Sequence, residues 1–452
     1  SMDASVNEFV ISAFLVLGSI VIGWYGWCVV AGTLKARTTT RSSSACAIGC
    51  LGNCGKRQKM EDSHSIALFS RSSLEAPVLR EVSPDGVWRD AHSSHSSCSS
   101  DASLLTVCDG HLGKGAACFV AEALPRILAG KLESLTNGYT RAADADPDAV
   151  QSLLRDTIVE CEAALLRSGE LSGTAMCCVY VTHDRVYCGN VGDCRAVLSS
   201  VYQVYPIPIS RDHKPEGHSE RHRIRSGEGA VHPVYVQYSA GMLPLVSIGP
   251  PRLWPSGMSL SRAMGDKPAK TGPTSGHAYP THALDRDPSL SCLPEVSVTP
   301  IPHTPSSPVD MPFVVVGCDG IFDVLSNEDA VSVVRSNLVF QLALAAREVV
   351  AGHECVNECV DENGDPEGCS DTVHLTDIEL DPTQTSRACG LASCRLAGLI
   401  VDLALARHST DNVTAGVVLL SCPGTLSLRT LDRLATKEAR HRLRTALKGR
   451  PQ

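Results

Sequence analysis

The sequence "LLTVCDGHLG" (residues 104–113) passes from an apolar run straight into an aspartate, a glycine and a histidine. A second stretch of the same kind, "FVVVGCDGIFD", occupies residues 313–323. Each apolar run predicts a buried strand, and an acid at the end of such a strand is held rigidly while it faces out of the core. The glycine that follows allows a sharp turn close to a ligand. We therefore expect both strands to deliver a carboxylate to a metal ion or a catalytic site.

The sequence around these stretches alternates between short apolar runs and longer segments with apolar residues spaced by three and four. It predicts strands at 65–69, 103–108, 175–181, 186–191, 195–201, 313–318 and 413–420. It predicts helices at 113–131, 147–168, 327–349, 390–407 and 425–448, with Ser326 and Asp329 as a capping box at the start of the third. Several strands follow one another directly, with a hairpin turn at "THDR" (182–185), and this order favours antiparallel pairing over a doubly wound parallel sheet.

Further acids stand at the edges of the predicted strands. Asp411 precedes "VTAGVVLL", Glu61 and Asp62 precede "SHSIALF", and Asp193 follows an apolar run in "NVGDCR". With the two acids of the opening stretches they make six. A cluster of carboxylate oxygens selects Mg²⁺ or Mn²⁺ over Zn²⁺, and two such ions can activate a water and stabilise an in-line phosphoryl displacement. For any single acid the alternative is a turn or a helix cap.

Two other side chains beside the acids suit phosphate chemistry. The planar guanidinium of Arg57 matches a phosphate group, and His111 can give a proton to a leaving oxygen. For each of them the alternative is a solvated surface residue. The repeated placement of acids at strand ends is stronger evidence for a functional site than Arg57 or His111 alone.

Composition limits the classes of function. The chain has 452 residues and a formal net charge of −9, which argues against a nucleic-acid-binding protein that works through bulk positive charge. Its 20 cysteines are scattered and mostly lie in apolar runs, where a thiol behaves as a small hydrophobic side chain. No disulfide framework follows from this spacing, and free thiols favour a reducing compartment.

Residues 9–32 contain no charged side chain and are long enough to cross the hydrocarbon core of a bilayer, about 30 Å thick. Acids precede this segment, whereas Lys35, Arg37 and Arg41 follow it, so the positive-inside rule places the rest of the chain in the cytoplasm. The sequence thus predicts a single-pass membrane protein with a cytoplasmic catalytic domain. A buried core helix is the alternative for this segment.

Eight motifs resemble, in order, those of the metal-dependent type 2C (PPM-type) protein serine/threonine phosphatases. They are "KRQKMEDSH" (56–64), "VCDGH" (107–111), "SGTA" (172–175), "NVGDCRAVL" (190–198), "RDHKP" (211–215), "LSRAMGD" (260–266), "CDGIFDVLSNEDAV" (318–331) and "TDNVT" (410–414). The resemblance covers roughly residues 46–422. It implies an α+β fold with a central sandwich of two antiparallel β-sheets flanked by α-helices, in α-β-β-α layers, here preceded by one transmembrane helix.

Hydropathy, composition and the extent of the resemblance together predict a division of the chain. It has an N-terminal transmembrane anchor (1–33), a polar linker (34–45), the catalytic domain (46–422) and a basic C-terminal helix (423–452). Insertions or loops are expected near 71–101, 228–258, 268–310 and 352–388. We expect the 228–258 insertion to shape substrate access. The basic C-terminal helix either contacts the anionic inner leaflet or packs on the domain, and both alternatives stay open.

Roles at the site follow from the same resemblance, position by position. It implies a binuclear Mn²⁺ or Mg²⁺ centre with a third, more weakly bound ion. The metal-site residues implied are Asp109, which bridges both ions, Gly110 through its carbonyl oxygen, Glu61, Asp62, Asp319 and Asp411, with Asp193 at the third ion. Arg57 is implied to bind the phosphate and His111 to act as general acid, while Asp323 and Asn412 surround the cluster.

The expected function is hydrolysis of phosphoserine and phosphothreonine in protein substrates by direct attack of water, in a monomer. The rivals are a catalytically inactive, membrane-tethered pseudophosphatase scaffold and a different two-metal phosphoesterase such as a nuclease. Several positions depart from the family pattern, among them "SGTA" for the usual Gly-Ser-Thr-Ala order and Cys194 where serine is common. None of these departures removes a predicted metal ligand, although Cys194 beside Asp193 could confer redox sensitivity.

Overall fold

The computed structural model describes residues 37–42, 46–69, 102–136, 146–199, 205–227, 229–236, 246–271, 289–301, 307–354 and 378–448. The strands are β1 (Arg37–Ser42), β2 (Cys46–Asn53), β3 (Ser63–Phe69), β4 (Ala102–His111), β5 (Gly173–Val181), β6 (Arg185–Val191), β7 (Arg195–Ser199), β8 (Ile207–Pro208), β9 (Ala230–Val236), β10 (Val246–Trp254), β11 (Met264–Gly265), β12 (Glu295–Pro300), β13 (Phe313–Gly317), β14 (Glu379–Leu380), β15 (Val413–Leu420) and β16 (Leu426–Ser427). The helices are α1 (Gly115–Thr136), α2 (Pro147–Ser168), α3 (His218–Ser226), α4 (Lys267–Thr271), α5 (Asp319–Phe322), α6 (Asn327–Glu354), α7 (Pro382–Ala406) and α8 (Leu428–Lys448).

Two six-stranded sheets form the centre of the fold. One has the strand order β1-β2-β15-β13-β7-β8, and the other has the order β12-β6-β5-β4-β3 with β11 added beside β5. All pairings within both sheets are antiparallel, which confirms the prediction from the order of the strands. The hairpin predicted at 182–185 joins β5 to β6, where the Thr182 N–H donates to the Arg185 carbonyl at 2.9 Å.

Strand β5 shows how the layers are built. Its residues are buried on both faces: Cys177 and Val179 belong to the core between the sheets, whereas Met176 and Tyr180 belong to the core beneath α1 and α2. A strand covered on both faces needs apolar residues at every position, which explains the unbroken run in "TAMCCVYV". The prediction of two sheets between helical layers is therefore met on this side of the molecule.

Helix α7 covers the other sheet and approaches β2 closely. A Cβ atom at Gly49 would lie 2.1 Å from the backbone nitrogen of Cys394, so only glycine fits at this crossing. Helix α6 packs beside α7, and the start of α8 packs on α6, with Leu431 buried and an ion pair between Arg347 and Asp432 at 2.7 Å. The beginning of the basic helix thus packs on the domain, one of the two alternatives left open.

Several segments differ from expectation. The polar linker predicted at 34–45 contains strand β1, since its threonines are β-branched and suit a strand. The insertion at 228–258 carries the two-stranded ribbon β9–β10, and the insertion at 268–310 carries the edge strand β12. The predicted capping box holds, because the Asp329 N–H donates to Ser326 Oγ at 3.0 Å.

The predicted span at 9–32 and the insertion at 71–101 lie outside the described residues. Within the described residues, two helices have the length and composition of a membrane span: Asn327–Ala351 and Pro382–Ala406. Both pack against the domain as α6 and α7, and 61% of the apolar window of the second is buried there. Core helices of this kind pass the same test of length and hydropathy.

Candidate active site

Strand register brings the predicted acids to one end of the sandwich. Ser63 pairs with Cys108, which places Asp62 and Asp109 at the same end of neighbouring strands. Gly317 pairs with both Ala415 and Arg195, so the end of β13 meets the starts of β15 and β7. The residues just outside these strand ends are Asp319, Asp411 and Asp193. Two of these acids lie at the end of one sheet and three at the end of the other, so five acids far apart in sequence meet at one end of the sandwich.

Asp62 is almost fully buried beneath this edge. Its Oδ2 accepts a hydrogen bond from the Thr414 hydroxyl at 2.7 Å, whereas its Oδ1 is buried without a partner. Burial raises the pKa of Asp62 to about 7, and the charges of Asp319 and Asp411 act in the same direction. A buried carboxylate oxygen with no donor is a strong candidate for a cation ligand.

Asp109 and Asp319 interact directly. The two carboxyl groups lie close enough for each to affect the pKa of the other. Burial raises the pKa of both groups, and the charge of Asp62 raises that of Asp109 further. Carboxylates this close repel one another when ionised, unless a cation lies between them.

Asp193 already has a cation nearby. Burial and the charge of Asp319 raise its pKa to about 7, while Lys214, whose Nζ lies 3.9 Å from Asp193 Oδ2, lowers it. The Lys214 ammonium also donates to Asp323 Oδ1 at 3.2 Å. Lys214, in the "RDHKP" motif, therefore bridges Asp193, the acid implied at the third ion, and Asp323, which is implied to lie beside the cluster.

Asp411 and Arg57 form an ion pair across the mouth of the site, with more than half of the Arg57 side chain exposed. The loop that carries Arg57 is held by Asn412, which is 4% exposed. Its Oδ1 accepts from the Glu61 N–H at 2.8 Å, and its Nδ2 donates to the carbonyls of Cys54 and Lys59 at 2.9 and 3.0 Å. Asn412 therefore fixes the backbone between Cys54 and Glu61.

Gly110 also contributes to this arrangement. A Cβ atom there would lie 2.3 Å from the Glu61 carbonyl oxygen, so only glycine allows the two segments to approach. Glu61 is brought beside the end of β4 by this contact and by its bond to Asn412. The backbone positions of Gly110 and Glu61 thus agree with a shared site.

His111 is paired with an acid that the sequence reasoning missed. Its Nε2 lies 2.9 Å from both carboxylate oxygens of Asp266, which is 2% exposed. Burial lowers the pKa of His111, but the charge and hydrogen bond of Asp266 outweigh burial and raise that pKa above its usual value. Asp266 and Lys214 both stood inside quoted motifs, but no apolar run led to either of them.

Cys194 lies beneath the site and is fully buried. Burial raises the pKa of its thiol well above the usual value. Because the thiolate is the reactive form, this environment makes Cys194 unreactive. The expectation of redox sensitivity at this position is therefore not supported.

The donor set suits a hard divalent cation. In the described parts of the chain, no group of three or more His, Cys, Asp or Glu side chains has the spacing of a formed metal centre. The chemistry of the donors nevertheless fits Mg²⁺ or Mn²⁺, because they are carboxylate oxygens. Burial, and after it the neighbouring carboxylates, raise the pKa values of Asp62, Asp109 and Asp319, and one oxygen of Asp62 has no partner. Cations bound among them would remove the repulsion.

Comparison with known proteins gives a consistent result. The family model for protein phosphatase 2C matches residues 52–362. The probable protein phosphatase 2C 22 of Arabidopsis thaliana is 26% identical over 363 residues, which are 78% of this chain and 66% of the relative. The protein phosphatase 2C homolog 2 of Aspergillus flavus is 26% identical over 364 residues, 79% of this chain and 69% of the relative. The aligned part thus spans about two thirds of the length of these relatives.

Solved structures support the fold. A serine-threonine phosphatase 2C from Toxoplasma gondii superposes with a TM-score of 0.50 at 16% identity, over 85% of this chain and 99% of that one. A sex determining protein of C. elegans gives the same TM-score at 18% identity, over 86% of this chain and 67% of that one. The family model covers well over half of the chain, and the matched range contains Asp62, Asp109, Asp193 and Asp319. This chain belongs to the protein phosphatase 2C family.

Proposed function

We propose that this protein is a metal-dependent protein serine/threonine phosphatase that acts on phosphoproteins. The observation that carries the proposal is the cluster of Asp62, Asp109, Asp193 and Asp319 at one end of the sandwich, where Asp62 and Asp193 are buried and the pKa values of all four are raised. Such crowding costs stability and suits a site whose function is to hold cations. Every predicted metal-site acid is present, which argues against the inactive scaffold.

Two Mn²⁺ or Mg²⁺ ions, held by Asp109, Glu61, Asp319 and Asp411 with the carbonyl oxygen of Gly110, would supply an activated water and positive charge opposite the phosphate. Asp62 would orient that water, since its Oδ2 is fixed by Thr414. Lys214 neutralises part of the charge of Asp193 and Asp323 at the rim of the site.

The other residues would bind substrate and move a proton. Arg57 is exposed at the mouth of the site, where its guanidinium can turn from Asp411 toward the oxygens of a phosphate group. His111 would give a proton to the departing serine or threonine oxygen, because Asp266 favours the protonated ring. The net charge of −9 argues against nucleic acid as the substrate.

We further propose that residues 9–32 anchor the chain in a membrane as a single-pass protein, with the catalytic domain (46–422) in the cytoplasm. We also propose that the protein acts as a monomer. The absence of charge in that segment and the cations that follow it support this topology.

The test is hydrolysis of an aryl phosphate and a phosphothreonine peptide by the full chain in detergent, with Mn²⁺, with Mg²⁺ or with a chelator. Asp109→Asn and Asp319→Asn should each lower turnover by at least about a hundredfold. Asp148→Asn, at an exposed position on α2, is the matched control and should leave turnover unchanged. Turnover that resists both the chelator and the two variants would refute the proposal.

A further inference from the structure

The geometry of the His111–Asp266 pair is fixed by the strands that carry the two residues. Asp266 presents both carboxylate oxygens to Nε2 at 2.9 Å, and its side chain is 2% exposed. His111 ends β4, whereas Asp266 follows β11, two strands that both pair with β5. The pairing of three strands therefore sets the distance between the two side chains.

A glycine on β5 leaves the space for this pair. A Cβ atom at Gly173 would lie 2.2 Å from His111 Nε2 and 2.3 Å from Asp266 Cγ. Gly173 is paired with His111 on one side and with Gly265 on the other. The "SGTA" order, which departs from the family pattern, thus places glycine where the two side chains meet.

The backbone at Asp266 adopts a defined, uncommon conformation. Its φ of +51° lies in the left-handed region, which aspartate and asparagine adopt more readily than other residues with a side chain. The Asp266 N–H donates to the Ser172 carbonyl at 3.0 Å. Buried Glu162 accepts from the N–H of Gly265 at 2.8 Å and from Lys270 Nζ at 2.6 Å, on both sides of Asp266. These contacts hold the Asp266 backbone, and with it the carboxylate, in a fixed position.

We propose that Asp266 is a positioning residue for the proposed phosphatase reaction, which holds the His111 ring with Nε2 as donor to its carboxylate and Nδ1 toward the substrate. Water forms a new bond to phosphorus and keeps its two protons on the phosphate product, while the bond from phosphorus to the ester oxygen breaks. The electron pair of the broken bond goes to the leaving oxygen, which takes the proton from Nδ1. The ring is left neutral, and its remaining proton stays on Nε2 in a hydrogen bond to the Asp266 carboxylate. An acid that fixes the orientation of a catalytic histidine in this way is a recurrent arrangement in hydrolases.

The first test uses leaving groups of different basicity. Asp266→Asn keeps the shape of the side chain, and asparagine tolerates the left-handed conformation. Turnover of phenyl phosphate, whose leaving oxygen needs the proton, should fall by about a hundredfold, while turnover of dinitrophenyl phosphate should fall by less than about threefold. An equal loss on both substrates, or no loss on either, would overturn the positioning role. A wild-type chain without turnover on any phosphate would instead refute the proposed function.

The second test does not depend on activity. Nitrogen NMR of the histidine rings in the metal-free full chain, assigned by the signals lost in His111→Gln, should show a proton on Nε2 of His111. Asp266→Asn and Gly173→Ala should both shift this signal. Glu295→Gln, which removes the acid 3.7 Å from His213 Nε2, is the matched control and should leave it in place. A His111 spectrum that is unchanged in Asp266→Asn would also overturn the proposal.

Discussion

At the residue scale, the carboxylates clustered at one end of the sandwich oppose folding unless they bind protons or cations. Asp62 receives one hydroxyl donor on Oδ2 and none on Oδ1, so the protein replaces little of the hydration that its charged form loses. The charged form of Asp193 is partly stabilised by the nearby ammonium group of Lys214, yet the pKa of Asp193 is also raised to about 7. Protons and divalent cations therefore compete for the same oxygens.

The first prediction concerns pH. The folded-state pKa of Asp62 is about 7, above its usual value of 3.8, so the folded chain holds a proton that the unfolded chain has lost. Its contribution to stability is present below pH 3.8 and is lost as pH rises to about 7, by up to roughly 1.4 kcal/mol for each pH unit. Thermal denaturation of the chelator-treated protein should thus show a lower Tm at pH 8 than at pH 5.

Two controls accompany this measurement. Asp62→Asn should reduce the dependence of Tm on pH, since one of the titrating groups is gone, while Asp193 and the other acids still contribute. Adding Mn²⁺ should raise Tm more at pH 8 than at pH 5, because protons no longer compete with the ion. A Tm that rises steadily from pH 5 to pH 8 without metal would contradict the reasoning.

A second prediction concerns Asn412. Its amide satisfies one N–H and two carbonyl groups of the 54–61 loop, and Asn412→Ala leaves all three without that partner. We expect a loss of about 1 to 3 kcal/mol in the free energy of unfolding, together with a raised KM as Arg57 loses its position. Denaturant unfolding and steady-state kinetics measure the two effects. Asn337→Ala on α6, where one bond to Val333 is lost, is the control and should change neither by much.

The acids of the site could be predicted because each follows or precedes an apolar run. Asp266 and Lys214 could not be assigned a role in the same way. Asp266 is 155 residues from His111, and its effect depends on the pairing of β4 and β11 with the same strand. Lys214 lies in a loop, and only the fold brings it to Asp193 and Asp323. Partners set by tertiary contact carry no local signal.

At the element scale, the approach of α7 to β2 gives a third prediction. Gly49→Ala places a methyl group against the backbone of Ser393 and Cys394, which cannot rotate away, so α7 must shift. We expect a loss of about 3 kcal/mol in the free energy of unfolding. Gly130→Ala on α1 meets open space and should instead stabilise the protein by about 0.5 to 1 kcal/mol. Urea denaturation of both variants decides this, and similar effects from both would contradict it.

The ribbon β9–β10 leads to a fourth prediction. Val231 and Leu253 are paired, so a short Gly-Ser linker can replace residues 232–252 without stretching the chain. Tyr235 and Ile248 are about half exposed on this ribbon and are available to contact a peptide. We expect kcat/KM for a phosphopeptide to fall about tenfold while that for an aryl phosphate stays within about twofold. Equal losses on both substrates would show that the ribbon does not select peptides.

The elements that the sequence failed to predict share a cause. Strand β2 contains Gly49, whose place is set by α7, and a glycine inside a strand weakens the strand signal. Helix α3 is almost wholly polar, and only Glu220 and Ile224 are buried, so it shows no apolar periodicity. Both depend on contacts between elements, whereas α2 and β15 are long and strongly patterned.

At the scale of the whole molecule, the layers of sheets and helices could be predicted from the sequence and compared with the structure. The predicted membrane span at 9–32 lies outside the described residues, so the structure does not test it. The apolar helices α6 and α7 satisfy the criteria for a span, yet they pack beside each other, and α7 lies on β2 and β15. Hydropathy alone therefore does not separate a membrane helix from a core helix in this chain. Flanking charge is the additional criterion, and it favours residues 9–32.

The last prediction follows from that difference. A chain expressed in cells should remain in the membrane pellet after extraction with alkaline carbonate, and deletion of residues 1–33 should release it, because the remaining apolar helices are covered by the domain. In sealed vesicles that keep the cytoplasmic face outward, added protease should digest residues 46–448. Replacing Lys35, Arg37 and Arg41 with glutamate should weaken this orientation, since those cations set it. Release of the full chain by carbonate would contradict the predicted anchor at residues 9–32. Protection from the protease would show that the domain lies on the opposite side of the membrane.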